Sequence, residues 1–498
     1  MSAPNTQKGT PGSQEPQKPK GSQEPQGLHA LEARLRQDLA WLALPATPWV
    51  PQRSERGHRV LDVAVIGAGM AGLAAAASLN HLGVRTMNFD RAAHGQEGPW
   101  TTTARMPALR TPKHITGPAL GLPALTFRAW FEAQFGTNAW DALDTIPRLQ
   151  WRDYLDWYRR VLSIDVRNEH RVTALIPRGN GPEGVVTVSI ASPAGEHTVV
   201  ARHVVLATGM DGLGEPATPA FIRTLPRHLW AHSSEPIDGS MLRGQRVGVV
   251  GAGASAMDLA ATALEAGATR VDLLIRRDTL PRVSKGKGAS NPGATHGHVH
   301  LPPEWKWRIR RYIDEQGTPP PRASALRVSR HPNASFHFDA PIRDVCQRDD
   351  ELHVRTAERT FVFDFLVLAT GFHFDIERRP ELAPLAPYIR RWRDRLGPEL
   401  SEENAELAGS PDLGPNFEFL ERTPGACPGL SRIHCFCAAA VLSHGAVVGN
   451  IPGVSKGALR LASGIAAQLY REDIQYHFAE LEAYDEAEIL GDEWKRVP

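Results

Sequence analysis

Residues 63–72 read VAVIGAGMAG, and a close copy, VGVVGAGASA, occupies residues 247–256. In each copy an apolar strand runs into a glycine-rich turn, and a helical segment rich in alanine follows. This order is typical of a dinucleotide-binding unit, in which the turn and the N-terminus of the helix hold a pyrophosphate. The chain is therefore predicted to be an α/β protein with two Rossmann-like dinucleotide-binding domains.

The first glycine turn has the complete GxGxxG spacing in Gly67, Gly69 and Gly72. The first glycine permits the tight turn, the second lets the backbone approach the pyrophosphate, and the third allows the helix to pack closely on the strand. The next strand, VRTMNFD, ends at Asp90, near the offset at which an acid accepts hydrogen bonds from a ribose. We interpret this unit as an FAD site.

The second glycine turn differs from the first at its third glycine and after its second strand. Ala256 replaces the third glycine, and the strand RVDLLIRR ends in two arginines where the first unit has an acid. Guanidinium groups can bind a 2′-phosphate bidentately, which predicts NADPH rather than NADH; the alternative is a solvated strand end. The predicted NADPH-binding residues are Gly251, Gly253, Ser255, Arg276 and Arg277.

Composition limits the classes of partner. The chain has 498 residues and a formal net charge of +1, so it lacks the basic surface expected of a protein that binds nucleic acid. Its four cysteines form no CxxC pair, which predicts free thiols in the cytoplasm and no metal site. The start of the chain has no apolar core, and no segment is a convincing membrane span. The predicted partners are small molecules.

Two further phrases point to the order of the domains. ARHVVLATG at 201–209 and FDFLVLATG at 363–371 resemble the crossover strands of flavoproteins that bind two dinucleotides. This resemblance implies that the NADPH domain is inserted in the FAD domain. The predicted division is a disordered tail at 1–27, an N-terminal helix and linker at 28–59, the FAD domain at 60–210 and 372–475, the NADPH domain with a substrate loop at 211–371, and a C-terminal tail at 476–498.

Within that superfamily the chain resembles the flavin-containing, N-hydroxylating and Baeyer–Villiger monooxygenases. The segment EGPW, which ends at Trp100, is similar to their Gly-Gly-x-Trp segment beside the flavin. DFLVLATGF at 364–372 resembles the D-x-x-x-L-A-T-G-Y signature of N-hydroxylating enzymes, with Phe372 in place of tyrosine. Gly449 and Asn450 stand where related flavoproteins place a Gly-Asp pair against the ribityl chain. The FxGxxxHxxx(W/Y) fingerprint is reduced to His232 and Ser233.

The resemblance implies a chemistry. NADPH would reduce FAD, and reduced FAD would react with O2 to form a C4a-(hydro)peroxyflavin that inserts one oxygen atom into a small organic substrate. N- or S-oxygenation and Baeyer–Villiger insertion both remain open, and no catalytic residue is assigned. Two alternatives are an NADPH-dependent reductase or oxidase that acts on a quinone-like acceptor, and a non-catalytic flavoprotein that senses NADPH.

Two other segments lie outside the nucleotide motifs. Residues 281–340 mix glycine, histidine and tryptophan, which predicts a long functional loop followed by an aromatic helix. Residues 28–43 place leucines on one helical stripe, which favours packing on the FAD domain, with contact in a homo-oligomer as the second possibility.

Overall fold

The computed structural model describes residues 27–179, 181–210 and 212–494. Almost all of the predicted disordered tail, residues 1–26, lies outside the described residues, and Gly27 already begins the first helix. The predicted C-terminal tail begins within a helix that ends at Ala483, and its last residues, 495–498, also lie outside the described part.

The strands are β1 (Ser54–Glu55), β2 (His58–Arg59), β3 (Leu61–Ile66), β4 (Thr86–Phe89), β5 (Ala108–Pro112), β6 (Thr145–Pro147), β7 (Val166–Arg167), β8 (Arg171–Arg178), β9 (Val185–Ser192), β10 (Gly195–Leu206), β11 (Gly214–Pro216), β12 (Trp230–His232), β13 (Arg246–Val250), β14 (Arg270–Leu274), β15 (Ala334–His337), β16 (Asp344–Arg348), β17 (Glu351–Arg355), β18 (Thr360–Phe363), β19 (Phe365–Leu368), β20 (Phe372–Phe374) and β21 (Ile433–Cys435).

The α-helices are α1 (Gly27–Trp41), α2 (Met70–His81), α3 (Phe127–Ala142), α4 (Arg148–Val161), α5 (Ala254–Glu265), α6 (Lys285–Gly288), α7 (Pro292–Gly297), α8 (Pro303–Gln316), α9 (Arg322–Ser329), α10 (Trp392–Leu396), α11 (Pro398–Glu403), α12 (Ala405–Ala408), α13 (Val441–His444), α14 (Val454–Glu472) and α15 (Ile474–Ala483).

The first large sheet has a parallel half with the strand order β7-β4-β3-β10-β21. The N-terminal half of β10 turns away and pairs antiparallel with β9, which continues to β8. Val63, Val65 and Val204 are fully buried in this sheet, as expected for parallel strands covered on both faces. Helices α2 and α14 pack against each other beside it.

The second large sheet contains five parallel strands in the order β12-β19-β13-β14-β15. All of them come from residues between β10 and β21, so the chain leaves the first sheet, builds the second and then returns. The outgoing strand β11 and the incoming strand β20 pair antiparallel between the two sheets. The predicted α/β fold, with one Rossmann-like domain inserted in the other, is confirmed.

The segment at 281–340 is more regular than the sequence predicted. The expected loop contains α6 and α7 before the predicted aromatic helix, α8. Polar side chains cap the N-termini of both short helices. The Ser284 hydroxyl accepts a hydrogen bond from the Lys287 amide at 3.3 Å, and the Asn291 side-chain oxygen Oδ1 accepts one from the Ala294 amide at 2.9 Å. Such N-caps satisfy amides that have no partner inside a helix, so short helices form without a periodic apolar pattern.

Helix α1 packs on the first domain through part of its leucine stripe. Leu31 and Leu35 are buried next to α3, whereas Leu42 is exposed. In the described part of the chain, no helix is both long enough and apolar enough to cross a bilayer.

Candidate dinucleotide sites

The first glycine turn lies at the carboxyl end of β3 and is closed by contacts that only glycine permits. Gly67 has φ +105°, and a Cβ atom there would stand 2.5 Å from the Ala207 carbonyl oxygen. A Cβ atom on Gly72 would stand 2.0 Å from the Gly67 oxygen. These two glycines are therefore required by the packing of α2 against the ends of β3 and β10.

The middle glycines of the two turns have a different reason to be glycine. Gly69 and Gly253 have φ values of −69° and −83°, which any residue can adopt. A Cβ atom on Gly253 would meet nothing within 4 Å, and one on Gly69 would make only an ordinary 3.7 Å contact with Gly98. Neither backbone strain nor packing excludes a side chain, so each position has open space beside the turn, as a bound pyrophosphate would require.

Each middle glycine is also the N-cap of the helix that follows, and neither α2 nor α5 has a side-chain cap. The first amides of both helices consequently lack a side-chain acceptor. Unpaired amides at the positive end of a helix attract phosphate oxygens. The second turn thus leads into an uncapped helix just as the first does, although the fully buried Ala256 stands at the position of its third glycine.

Asp90 lies directly after β4 and contacts the first turn. Its carboxylate oxygens accept hydrogen bonds from the Ala68 amide at 2.7 Å and the Ala92 amide at 2.8 Å. Burial raises the pKa of Asp90, and these two amide hydrogen bonds oppose that shift. Because each carboxylate oxygen accepts more than one hydrogen bond, Asp90 can support the turn and still receive ribose hydroxyls.

Asn88, which no sequence motif singled out, also holds the first turn together. This fully buried residue donates through Nδ2 to the carbonyl oxygens of Gly67 and Gly72, each at 3.3 Å. A polar residue inside an otherwise apolar strand was the available signal, because a buried amide is stable only where it finds partners.

Trp100 is half-buried in a segment that covers the first turn. Its carbonyl oxygen accepts a hydrogen bond from Arg148 Nη1, and its ring meets the buried Trp151 edge-on with the ring centroids 6.3 Å apart. Through Gly98, this segment lies against Gly69. Gly98 thus lies beside the first turn, and contact of Trp100 with the flavin stays a prediction.

Gly449 and Asn450 lie in the turn before α14. Gly449 has φ +71°, and a Cβ atom there would stand 3.7 Å from the Met210 sulfur, next to the carboxyl end of β10. Asn450 donates to the Ala446 oxygen at 3.1 Å and accepts from the Gly453 amide at 2.8 Å. The amide side chain thus stabilises its own turn, with one hydrogen and one lone pair left for a ligand.

In the second turn, Gly251 has φ +137°, and a Cβ atom would stand 2.5 Å from the Ala369 oxygen. Ser255 is exposed on the first turn of α5. Arg276 and Arg277 are exposed beyond the end of β14, and neither forms an ion pair within the described ranges. Their charges are therefore available to an anion at this end of the sheet.

The sequence aligned the two arginines with Asp90, but the hydrogen bonds between the strands place them one residue further along the chain. The Gly67 amide donates to the Phe89 oxygen, and the Gly251 amide donates to the Leu274 oxygen. Ile275, which is 1% exposed, therefore corresponds to Asp90. The second unit has an apolar residue at the position of the acid and two cations just outside it.

An open cleft of 540 Å³ lies beside the segment around Trp100, and residues of the first domain form most of its lining. Gln96 and Thr101 on either side of Trp100 line it together with Arg152 of α4, and Pro236 lines it from the inserted domain. No sequence pattern indicated it, because its lining residues are far apart along the chain.

His296, His298 and His300 alternate along the chain, but only His298 is buried and the other two are exposed. His298 is buried, with Nε2 3.1 Å from the Leu442 oxygen, and links the inserted segment to α13. No group of three or more His, Cys, Asp or Glu side chains that could hold a metal occurs among the residues described.

A family model described as L-lysine 6-monooxygenase/L-ornithine 5-monooxygenase matches residues 137–306. The FAD-dependent urate hydroxylase of Xanthomonas campestris pv. campestris is 40% identical over 466 residues, which cover 93% of this chain and 98% of that protein. The chain belongs to the flavin-dependent monooxygenases. Its predicted class, an oxidoreductase of this superfamily, is confirmed, and FAD and NADPH, the two predicted cofactors, are those of the family.

Solved structures of the superfamily share the fold. The ornithine hydroxylase of Pseudomonas aeruginosa superposes with a TM-score of 0.66 at 17% identity, over 82% of this chain and 100% of that one. The ornithine N-hydroxylase of Kutzneria sp. 744, solved with reduced FAD, NADP⁺ and L-ornithine, superposes with a TM-score of 0.63 at 19% identity, over 82% and 99%. These likenesses support the two-domain architecture of this flavin-dependent monooxygenase.

Proposed function

We propose that this protein is an FAD-containing, NADPH- and O2-dependent monooxygenase that inserts one oxygen atom into urate or a similar planar oxopurine. The proposal rests above all on one observation, the opposite charge beside two otherwise equivalent glycine turns. One turn carries the Asp90 carboxylate, and the other is followed by arginines that form no ion pair with any residue the structure describes. A carboxylate accepts ribose hydroxyls and repels a 2′-phosphate, whereas guanidinium groups bind one.

On the FAD side, the turn 67–72 and the amides at the start of α2 hold the pyrophosphate, and Asp90 holds the adenosine ribose. We expect Trp100, Gly449 and Asn450 to contact the flavin and ribityl parts of FAD, as the resemblance to related flavoproteins implies. We assign this site to residues 60–210 and 372–475, since β3, β10 and β21 share one sheet. When it is bound and reduced, FAD supplies the activation of O2 and the transfer of one oxygen atom.

On the NADPH side, the turn at Gly251 and Gly253 and the exposed Ser255 face the pyrophosphate, while Arg276 and Arg277 bind the 2′-phosphate. We assign this site to residues 211–371. Both turns stand at the carboxyl ends of parallel strands, where open α/β sheets bind their ligands. The antiparallel pair β11 and β20 lies on the two chain segments that connect the sheets, and we expect the nicotinamide to meet the flavin where these sheets adjoin.

The choice of urate rests on sequence similarity over nearly the whole chain. The relative that is 40% identical is named for urate, whereas the ornithine hydroxylases are below 20% identical and support the fold alone. The open cleft of 540 Å³ beside Trp100 has room for a purine-sized substrate. Hydroxylation of urate replaces the broader prediction, which left N-oxygenation, S-oxygenation and Baeyer–Villiger insertion open.

The test is a comparison of substrates under isotopically labelled O2. Urate, ornithine and a quinone are each added to purified holoenzyme with NADPH, and NADPH consumption, hydrogen peroxide and labelled product are measured. We expect urate alone to accelerate NADPH oxidation and to yield a product that carries one labelled oxygen atom. Oxygen-independent turnover with the quinone would instead establish the reductase, and a flavin that NADPH does not reduce would establish a sensor.

We also propose that the enzyme works in the cytoplasm, because none of its cysteines forms a disulfide: Cys346, Cys427, Cys435 and Cys437 are all free. Fractionation of cells that express the protein tests this location, and recovery in a membrane or secreted fraction would contradict it.

A further inference from the structure

The segment that follows Trp100 crosses from the FAD side to the inserted domain. Arg105 in this segment donates through Nη2 to the carbonyl oxygens of Glu235 and Ile237, at 3.1 and 3.4 Å. It also donates through Nη1 to the Thr102 oxygen at 3.0 Å. The Arg105 guanidinium therefore joins the segment that follows Trp100 to the start of the inserted domain.

Five residues later, Arg110 on β5 makes a second connection. Its Nη2 lies 2.7 Å from Asp258 Oδ2, and the Asp258 side chain is only 3% exposed. Asp258 belongs to α5, the helix whose N-terminus is the proposed pyrophosphate site for NADPH. The ion pair thus joins β5 directly to α5, the helix that would hold the second nucleotide.

The surroundings of Asp258 make Arg110 its main cationic partner. The other carboxylate oxygen, Oδ1, is 3.7 Å from Arg327 Nη1, and Arg327 itself pairs at 2.6 Å with Glu265. A buried carboxylate is costly without a close partner, so Asp258 favours the arrangement in which β5 lies against α5. Such pairs add little to stability, but they select one relative orientation of the elements that they join.

We infer that Arg110 and Asp258, supported by Arg105, are positioning residues that set the distance and angle between the nicotinamide and the flavin. This inference rests on the proposed function, because it requires both nucleotides to bind where we place them. Hydride transfer needs the two rings in near contact, and a small displacement slows such a step strongly. The pair would therefore act on the rate of flavin reduction and leave the affinity for each nucleotide largely unchanged.

The test measures anaerobic reduction of the flavin by NADPH in the Arg110→Met and Asp258→Asn holoenzymes and in the double variant. We expect each single variant to reduce its flavin about tenfold more slowly at saturating NADPH, with a dissociation constant for NADPH close to that of the unchanged enzyme. The double variant should be no slower than the slower single variant, because both changes break one interaction.

The matched control is Arg85→Met. Arg85 pairs at 2.8 Å with Asp62, whose side chain is 2% exposed, but both residues belong to the first domain: Asp62 is on β3 and Arg85 directly precedes β4. This variant should reduce its flavin at the unchanged rate. A similar slowing in the control would mean that loss of any such ion pair is enough, and would overturn the positioning role.

A second measurement does not depend on turnover. Hydrogen exchange of the cofactor-free protein should be faster in Arg110→Met than in the unchanged chain, both at 99–112 and at the start of α5. Unchanged exchange there, or an unchanged reduction rate, would overturn the inference. Failure of NADPH to reduce even the unchanged enzyme would instead refute the proposed function, and the exchange data would still show whether the pair joins the domains.

Discussion

Asp90 and Ile275 occupy equivalent positions after the second strands of the two glycine-turn units. Each follows the residue whose carbonyl oxygen accepts the hydrogen bond of the first turn glycine, at 2.8 Å for Phe89 and 3.1 Å for Leu274. Asp90 directs its carboxylate to the turn, whereas Ile275 is buried and the charged residues follow it. Two units with nearly the same backbone thus present opposite charges to their ligands.

The arginines after Ile275 predict a strong preference for NADPH. Replacing both Arg276 and Arg277 with alanine should raise the Michaelis constant for NADPH by about tenfold or more, equivalent to about 1.4 kcal/mol, because the 2′-phosphate loses its cations. The Michaelis constant for NADH should barely change. Arg330→Ala, at an exposed position in the same domain, is the control, and equal effects on both cofactors would rule out the 2′-phosphate assignment.

Asp90 should decide how much FAD the purified protein carries. Asp90→Ala removes the acceptor for the ribose and also the partner of the Ala68 amide, so the dissociation constant for FAD should rise by about tenfold. The ratio of flavin to protein absorbance measures the occupancy. The exposed Asp165 provides the control as Asp165→Ala, and full occupancy in Asp90→Ala would refute the ribose role.

Gly253 should be dispensable for folding but not for NADPH. Serine is a favoured N-cap, and a Cβ atom at Gly253 would meet no atom within 4 Å. Gly253→Ser should therefore not lower the melting temperature. The serine would occupy the pyrophosphate space, and the Michaelis constant for NADPH should rise by about tenfold. In contrast, Gly251→Ala should cost more than about 1 kcal/mol of stability, because its φ of +137° suits only glycine. If Gly253→Ser binds NADPH normally, the turn does not hold the pyrophosphate.

Buried histidines predict that the protein loses stability in mild acid. Burial lowers the pKa of His434 from 6.5 to about 3, so the folded state keeps it neutral while the unfolded state takes up a proton. Its contribution is fully present above pH 6.5 and is lost as the pH falls toward 3. Urea unfolding between about pH 5 and 8 should show this slope, and His434→Gln should make it shallower, since His444, whose pKa burial also lowers to about 3, still contributes.

The exposed His58 gives a control for that experiment, since His58→Gln should leave the slope unchanged. Glu472 does not interfere. Burial would raise its pKa, but His203, Arg432 and Arg202 outweigh that effect and hold the pKa at about 2, below the range of the measurement. A pH dependence in His434→Gln equal to that of the unchanged protein would assign the slope to other groups.

Much of the candidate site was predictable because its geometry is local. The roles of Gly67 and Gly72 follow from neighbours within one strand, turn and helix, and the crossover phrases predicted the inserted domain. The register of Arg276 depended on the hydrogen bonds between strands, and no spacing along the chain reveals those. The short helices α6 and α7 were missed because side-chain caps, rather than periodicity, begin them.

The sequence by itself determined that two dinucleotide-binding units exist and which charge accompanies each, since glycine conformation and strand ends act over a few residues. Only the tertiary structure decided how the units face each other. Arg110 and Asp258 are 148 residues apart, and their pairing depends on how β5 and α5 pack. A contact of that kind has no local signature, because it forms only when burial of two separate cores has already set the chain's path.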